Sequence, residues 1–289
     1  MFSEKTKNKI IEFDEFSKGA VDSLYPNKIE NKKLIESIQY SFLGGGKRFR
    51  PAITFVVADL LKVETKQILP WCLSLEMIHT YSLIHDDLPC MDDDDFRRGK
   101  ATNHKLYGES IALLAGDALL TEAFGILAQF YANESGNLVK LINELAFISG
   151  LRGMIGGQFL DMELEAATID KIKLMHQMKT GALISGCFSG PGIIKGLAPD
   201  KINKLKFLGQ EVGFLFQVKD DILDYQDKNQ DIKNIVPFLG GIEKSKIFIE
   251  SETDKLLQEV SHLLDTLGTE LTPTNELSFL LKWNQNRNL

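Results

Sequence analysis

The 289-residue sequence contains little proline and cysteine, and no feature divides it into modules. Its eight prolines leave room for long helices, because each proline in a helix interior removes a backbone hydrogen bond. No Pro/Gly/Ser-rich linker, low-complexity tract or solenoid-length repeat is present, which favours one domain over residues 1–289. Alternating strand patterns are also hard to find, whereas 44% of the residues are apolar. We therefore predict an all-α, single-domain helical bundle.

Other features that the sequence lacks limit the cellular compartment and the binding partners that we expect. The three cysteines, Cys72, Cys90 and Cys187, are scattered, so they suggest neither a disulfide framework nor a zinc site and indicate a reducing, cytoplasmic location. The N-terminal segment lacks a secretory apolar core. No run approaches membrane-spanning length, because the most apolar stretch, residues 52–61, is interrupted by Asp59. We therefore expect no membrane partner. A net charge of −7 argues against nucleic acid as a partner.

Helical periodicity covers most of the chain. The expected helices span residues 4–25, 30–43, 52–62, 66–85, 107–132, 137–164, a segment from residue 170, 205–225, 242–266 and 274–287. Pro26-Asn27 separates the first two of them. Small residues in the two long central helices, among them Gly156 and Gly157, should permit close packing.

The densest charge lies in residues 76–102, which contain six aspartates, two arginines and two histidines. An apolar helix delivers the aspartates to its C-terminal end, where they oppose the helix dipole unless cations neutralise them. A charge run is ordinarily a solvated face. Here, however, carboxylates without a thiolate or a full histidine set suit a hard ion such as Mg²⁺. Pro89 should interrupt the helix, so that Asp86 and Asp92 converge on one group of ions.

A second acidic motif, Asp220-Asp221-Ile222-Leu223-Asp224, lies on another apolar helix. Asp220 and Asp224 are four residues apart and therefore share one helix face. Either motif alone would be a weak indication of function. Two such motifs, the first of which is followed by Arg97-Arg98, indicate a functional site.

The motifs Asp86–Asp92 with Arg97-Arg98, and Asp220–Asp224, resemble those of trans-isoprenyl diphosphate synthases, most closely the bacterial farnesyl diphosphate synthase (geranyltransferase) type. The resemblance extends from about Gly44 to Pro237. It implies a bundle around a deep central cavity and a homodimer. The implied reaction is a Mg²⁺-dependent condensation of isopentenyl diphosphate with an allylic diphosphate, dimethylallyl and then geranyl. Farnesyl diphosphate is the expected product, and geranylgeranyl diphosphate is the alternative.

The resemblance also implies roles for individual residues. Asp86, Asp92 and Asp220 are expected to hold Mg²⁺ and to act in catalysis. The residues expected to bind isopentenyl diphosphate are Lys47, Arg50, His79 and Arg98. Those expected at the allylic diphosphate are Arg97, Lys179, Thr180 and Lys233, with Gln217 as a further substrate-binding candidate. Lys179 is also a catalytic candidate, because the family turns this position toward the developing carbocation.

Three of these positions need comment. Relatives carry a longer loop with two lysines after Asp224, so only Lys233 can be matched here. Gln158 and Asp161 match a polar face that the family turns toward its cavity, although an ordinary helix surface explains them equally well. Gly181 lies inside a predicted helix at a cost of about 1 kcal/mol relative to alanine, and it fits a kinked helix of the family.

Three rival functions remain open. A terpene cyclase shares the acidic motifs and the helical fold, but it needs only one diphosphate site, so Lys47 and Arg50 together with Arg98 argue against it. A di-iron carboxylate bundle is suggested by Glu76-Met77-Ile78-His79, but it needs a second Glu-x-x-His on a facing helix, which we do not expect. A non-catalytic subunit of a hetero-oligomeric synthase is favoured by the short segment after Asp224 and opposed by the intact acidic motifs.

Chain length should depend on Tyr81 and Ser82, which lie five and four residues before Asp86, about one helical turn from the metal site. An allylic chain anchored at Asp86 and growing along this helix would meet these side chains. A tyrosine ring would form a floor, whereas a smaller residue would leave a longer tunnel. A core aromatic is the commoner role for such a residue, but the resemblance favours the floor.

Tyr81→Ala should therefore extend the product beyond the farnesyl length. The measurement is product chain-length analysis with isopentenyl diphosphate and geranyl diphosphate as substrates. If the variant still stops at the farnesyl length, another residue forms the floor.

Overall fold

The computed structural model describes residues 2–24, 30–226, 233–268 and 276–286. The predicted separator Pro26-Asn27 lies outside the described residues. The same holds for residues 227–232 of the shortened segment after Asp224, and for positions 274, 275 and 287 of the last predicted helix.

The described chain is almost entirely helical, which confirms the all-α prediction. The helices are α1 Glu4–Leu24, α2 Lys32–Phe42, α3 Phe49–Leu60, α4 Thr65–Asp86, α5 Asn103–Tyr107, α6 Glu109–Phe130, α7 Ser135–Ser149, α8 Met154–Met162, α9 Ile169–His176, α10 Ala182–Ile194, α11 Pro199–Gln226, α12 Ile242–Thr266 and α13 Glu276–Asn286. A π-helical turn, Gln177–Gly181, joins α9 to α10. Two short antiparallel strands, β1 Phe96–Arg97 and β2 Lys100–Ala101, form the small hairpin among the described residues.

Two predicted helices differ from the structure. The single helix over residues 137–164 is wrong, because α7 ends at Ser149 and α8 begins at Met154. Glycines at both ends of the break, Gly150 and Gly153, make continuation of the helix costly. The helix predicted from residue 205 begins earlier, at Pro199, because proline is tolerated in the first helical turn.

The helices pack into two compact units. The first-motif unit, Glu4–Phe55 and Thr65–Ile142, carries the first acidic motif. The second-motif unit, Met1–Ser3, Val56–Glu64 and Asn143–Leu289, carries the second. Since α3 and α7 each contribute residues to both units, the single domain predicted over residues 1–289 stays a proposal.

In the first-motif unit, α4 is the central element. Most of its side chains from Ile68 to Ile84 are buried, and it packs against α1, α2 and α6. A helix that is apolar on all sides belongs in a core. The first acidic motif therefore begins at the end of a helix that is held by packing along most of its length.

The helix α6 does not agree with the expectation that no run approaches membrane-spanning length. By length and composition it could cross a membrane, and 39% of its most apolar 18-residue stretch is buried. It is thus more apolar than residues 52–61, the stretch singled out from the sequence. One such helix is weak support for a membrane span, because core helices of water-soluble proteins meet the same criterion.

In the second-motif unit, α11 is the central element and packs against α10, α12, α13 and the π-helical turn. Its buried Phe214, Val218 and Ile222 face this core. The Lys219 ammonium donates to the Gln285 carbonyl at 3.1 Å, so a buried cation neutralises the C-terminal end of α13. The second acidic motif therefore lies on a helix whose apolar side is packed in the core.

The helix α8 approaches the π-helical turn closely at Gly157. A Cβ atom on Gly157 would lie 2.1 Å from the backbone nitrogen and 2.5 Å from the Cα of Lys179. Because these are backbone atoms, no rotamer change could relieve the overlap. Close packing at this glycine was predicted, and the structure confirms it.

Gly157→Ala should destabilise the protein by about 1–3 kcal/mol, the usual cost of overpacking. The measurement is urea unfolding, with Gly136→Ala in α7 as the control, because a Cβ there meets nothing within 4 Å. Equal stabilities of the two variants would contradict the tight contact with Lys179.

Candidate active site

The first acidic motif forms a loop that folds back on the end of α4. The helix ends at Asp86, and the Asp92 backbone N–H donates to the Asp86 carbonyl at 2.8 Å. The Met91 N–H donates to the Leu88 carbonyl at 2.8 Å within the same loop. The interruption expected from Pro89 is confirmed, and it brings Asp92 back to Asp86. The Asp86 side chain is partly exposed and that of Asp92 is exposed.

Asp87, between Asp86 and Asp92, is buried, and its carboxylate binds Arg97. Arg97 Nε donates to Asp87 Oδ1 at 2.6 Å, and Arg97 Nη2 donates to Asp94 Oδ2 at 3.4 Å. Burial raises the pKa of Asp87, and the hydrogen bond and charge of Arg97 oppose that rise. Asp87 therefore orients Arg97, while the outer aspartates of the motif stay nearer the surface.

A two-residue hairpin turn presents the second arginine. Arg98 and Gly99 connect β1 to β2 with φ angles of 53° and 75°, both left-handed, as in a type I′ turn. A non-glycine residue seldom adopts this conformation, and such strain is often kept at functional sites. Arg98 Nη1 would lie 2.9 Å from a Cβ on Gly46, so the glycine run before Lys47 leaves room for the guanidinium.

A cavity of about 250 Å³ lies in the first-motif unit. Its charged and polar lining residues include Arg48, Glu76, His79, Thr80, Asp87, Arg97, Arg98 and Lys100. Of the four side chains predicted to bind isopentenyl diphosphate, His79 and Arg98 line it. Lys47 is exposed and Arg50 is partly exposed, and neither belongs to the lining.

The cavity is electrostatically positive around His79. Burial lowers the pKa of His79 well below its usual value, and the charges of Arg50, Arg98, Arg97 and Arg48 lower it further. The imidazole is therefore neutral at pH 7. Four guanidinium groups around a neutral ring make a suitable environment for a polyanion.

Arg48 is a residue whose role sequence reasoning missed. It is buried, with Nε 2.8 Å from Asp14 Oδ1, Nη1 3.2 Å from Glu76 Oε1, and Nη2 3.1 Å from the Phe42 carbonyl. Its φ of 44° is left-handed. These partners lie on α1, α4 and the end of α2, so Arg48 anchors the end of the loop that leads from α2 into α3.

The di-iron alternative is not supported within the described ranges. Glu76 is committed to Arg48, and its second oxygen, Oε2, is buried without a hydrogen-bond partner among the described residues. The sequence does contain a second Glu-x-x-His, Glu259 to His262, contrary to expectation. Both of these side chains are exposed on α12.

Tyr81 and Ser82 do not line this cavity. Tyr81 is 5% exposed and packs edge-to-face on His85, with ring centroids 5.6 Å apart. Its hydroxyl has no hydrogen-bond partner in the described part of the chain, and burial raises its pKa. The Ser82 hydroxyl donates to the His79 carbonyl at 2.9 Å. The chain-length role of both residues stays a prediction.

A second cavity, of about 360 Å³, lies in the second-motif unit. It brings together Lys179, Thr180, Gln217 and Lys233, all predicted at the substrate. Thr180 Oγ1 donates to Gln217 Oε1 at 3.0 Å, which links the π-helical turn to α11. π-helical turns are frequent at functional sites, and this one replaces the kink expected at Gly181.

Asp161 also lines the second cavity, so it is not the helix-surface residue that the sequence left possible. Lys179 Nζ lies 2.5 Å from Asp161 Oδ2, and Lys233 Nζ lies 3.0 Å from Asp161 Oδ1. Burial alone would raise the pKa of Asp161, but the two lysines outweigh it and the pKa is lowered. Asp161 is therefore ionised at neutral pH.

Asp221, in the second acidic motif, is an anchor for the segment after Lys233. The Ile235 N–H donates to Asp221 Oδ2 at 2.8 Å, and His176 Nε2 lies 3.1 Å from the same oxygen. Asn234 Nδ2 donates to the Asp221 carbonyl at 2.8 Å. The roles of His176 and Asn234 could not be found from spacing, because 45 residues separate His176 from Asp221.

The donor chemistry fits magnesium. In the part of the chain that the structure describes, no three His, Cys, Asp or Glu side chains form a metal-binding group by themselves. The Asp86, Asp92, Asp220 and Asp224 side chains are nevertheless partly or fully exposed carboxylates. Mg²⁺ prefers oxygen ligands and commonly combines one or two carboxylates with water and substrate phosphates. Exposed carboxylates of this kind are suited to a metal that a substrate diphosphate helps to hold.

Comparison with known proteins places the chain in a family. The polyprenyl synthetase family model matches residues 31–237. A farnesyl diphosphate synthase of Micrococcus luteus is 42% identical over 84% of this chain and 90% of its own length. The large subunit 1 of a heterodimeric geranylgeranyl pyrophosphate synthase of Arabidopsis thaliana is 37% identical over 96% of this chain and 79% of its own length.

A solved structure has the same fold. The apo FPP/GFPP synthase of Zymomonas mobilis is 30% identical, with a TM-score of 0.85, and the match covers 97% of this chain and 99% of the other. Together with the helical fold, these similarities define an all-α prenyltransferase. The chain belongs to the polyprenyl synthetase family.

His79 should titrate below pH 6.5 in the folded protein. In the unfolded chain its pKa is about 6.5, so between the two values only the unfolded state binds the proton. The His79 contribution to stability is therefore complete above pH 6.5 and is lost as the pH falls through the folded-state value. The measurement is an NMR titration of the histidine ring protons, assigned with His79→Gln.

Arg50→Met should raise the pKa of His79, because it removes the largest of the neighbouring charges acting on it. Lys140→Met, on the exposed surface of α7, removes the same charge elsewhere and should leave that pKa unchanged. A ring that titrates above pH 6.5 would contradict the cationic environment.

Proposed function

We propose that this prenyltransferase condenses isopentenyl diphosphate with dimethylallyl and then geranyl diphosphate to give farnesyl diphosphate. The observation that carries the proposal is the first cavity, where arginines surround a neutral His79 next to the loop of Asp86 and Asp92. The similarity to the Micrococcus luteus farnesyl diphosphate synthase supports the product.

The first cavity is the proposed site of isopentenyl diphosphate. Arg98 provides a forked donor suited to phosphate oxygens, and the neutral His79 can donate one hydrogen bond without adding charge. Lys47, on the loop anchored by Arg48, and Arg50, in the first turn of α3, would complete the anion site from its rim. The main contribution of these residues is to hold the nucleophilic double bond in a fixed orientation.

The second cavity is the proposed site of the allylic diphosphate. Lys179 and Lys233 supply positive charge there, and Thr180 with Gln217 supplies hydrogen-bonding groups. Arg97, oriented by Asp87, is the proposed contribution of the first acidic loop. Magnesium held by Asp86, Asp92 and Asp220 would supply Lewis-acid neutralisation of the leaving diphosphate.

Geranylgeranyl diphosphate is the second candidate product, because the Arabidopsis thaliana relative carries that name. Because this relative is a subunit of a heterodimeric synthase, a subunit role in a hetero-oligomer is a further alternative for this chain. A homodimer is our proposal, supported by the exposed apolar side chains Leu113, Leu114 and Phe130 on α6. A cytoplasmic location is proposed from the scattered positions of Cys72, Cys90 and Cys187 in the sequence.

The deciding experiment incubates the protein with isopentenyl diphosphate and, separately, with dimethylallyl, geranyl or farnesyl diphosphate, with and without Mg²⁺. We expect farnesyl diphosphate from the first two primers, no extension of the third, and no product without metal. Extension of farnesyl diphosphate would favour the geranylgeranyl alternative. Cyclic products from geranyl diphosphate alone would indicate a cyclase, and no product at all would favour a non-catalytic subunit.

Two variants separate the substrate subsites. Arg98→Ala should raise the KM for isopentenyl diphosphate about tenfold or more, because a charge-assisted hydrogen bond contributes about 1.5–3 kcal/mol, and should affect the allylic KM less. Lys179→Ala should do the reverse. Steady-state kinetics with each substrate varied measures this, with Lys140→Ala as the control. Equal effects on both substrates would mean that the two cavities are assigned wrongly.

A further inference from the structure

The two lysines of the second cavity share an anion that the protein itself supplies. Lys179 Nζ lies 2.5 Å from Asp161 Oδ2, and Lys233 Nζ lies 3.0 Å from Asp161 Oδ1. Lys179 belongs to the π-helical turn and Lys233 directly precedes the segment held by Asp221. Asp161 thus uses both carboxylate oxygens to join two separate parts of the cavity wall.

The position of Asp161 makes it a competitor for any anion that enters. Its side chain is 18% exposed, and those of Lys179 and Lys233 are 32% and 31% exposed, so all three reach the cavity surface. The lysines lower the pKa of Asp161, which therefore carries its charge at neutral pH. An ammonium group oriented toward Asp161 has fewer donors left for a phosphate oxygen.

We propose that Asp161 is a resident counter-anion, and that a diphosphate must displace it from Lys179 and Lys233 to bind. This rests on the proposed function, in which the second cavity takes the allylic diphosphate. The contact lowers the intrinsic affinity of the site for diphosphate. It also offers the lysines a replacement partner when inorganic diphosphate leaves, which favours product release. Asp161 acts through the two lysines and is a positioning residue.

Removing this charge without changing the shape of the side chain should strengthen anion binding. Asp161→Asn should tighten the binding of inorganic diphosphate about fivefold, the effect of one charge at a partly exposed site. The dependence of this affinity on salt should become steeper, because the uncompensated positive charge is screened by ions. The KM for the allylic diphosphate should fall, while that for isopentenyl diphosphate should not.

The test is calorimetric titration of inorganic diphosphate into the full chain in the presence of EDTA, at two salt concentrations. Asp161→Glu keeps the charge and should bind like the wild type. Glu163→Gln is the matched control, because Glu163 is exposed two residues away and loses the same charge outside the lysine pair. It should also bind like the wild type. Thermal unfolding establishes that each variant is folded.

A double substitution maintains the test if Asp161→Asn does not fold. Lys233→Met combined with Asp161→Asn restores the net charge of the three-residue cluster, and it should bind diphosphate more tightly than Lys233→Met alone. Unchanged or weaker binding in the folded Asp161 variants would overturn the proposal and show that Asp161 only orients the lysines. An equal gain in Glu163→Gln would also overturn it, because overall charge would then explain the effect.

The counter-anion proposal and the proposed function are contradicted by different experimental outcomes. Diphosphate binding in EDTA needs no turnover, whereas the proposed function is tested by product formation. Tighter binding in Asp161→Asn without any chain elongation would support the counter-anion and contradict the prenyl-transfer assignment. Chain elongation by the wild type without tighter binding in Asp161→Asn would support the prenyl-transfer assignment and contradict the counter-anion.

Discussion

The structure depends on ion pairs that neutralise buried and partly buried charges. A site that handles polyanions must gather cations and carboxylates, which repel their own kind and are costly to bury alone. Arg48 meets this constraint in the first-motif unit, where it joins Asp14 and Glu76. Asp161 does so in the second-motif unit, where it joins two lysines. These pairs let the charged loops occupy defined positions.

The two acidic motifs divide their aspartates in the same way. In each motif the second aspartate is buried and structural: Asp87 holds Arg97, and Asp221 holds His176 and the Ile235 backbone. The outer aspartates are more exposed. A buried carboxylate with several donors is fixed in orientation, whereas an exposed one can adapt to an ion. Within each short motif, the buried aspartate therefore fixes the local structure, and the outer aspartates are accessible to an ion.

Three of the proposed site residues lie where regular helix geometry stops. The helix α4 ends at Asp86, the hairpin turn holds Arg98 at a positive φ, and Lys179 lies in a π-helical turn. Regular helices cannot direct neighbouring side chains to one point, because successive residues are about 100° apart. The π-helical turn is supported by close packing, because Gly157 admits the backbone of Lys179.

The sequence by itself determined the all-α class, most helix positions, the interruption at Pro89 and the family resemblance of the acidic motifs. These follow from local periodicity, proline geometry and short motifs, which need no knowledge of distant residues. Only the tertiary structure decided the roles of Arg48 and Asp161. The reason is distance along the chain: Arg48 meets Asp14 34 residues away, and Lys179 meets Asp161 18 residues away. Spacing in a sequence cannot show that such charges are partners, because their meeting depends on how the helices pack.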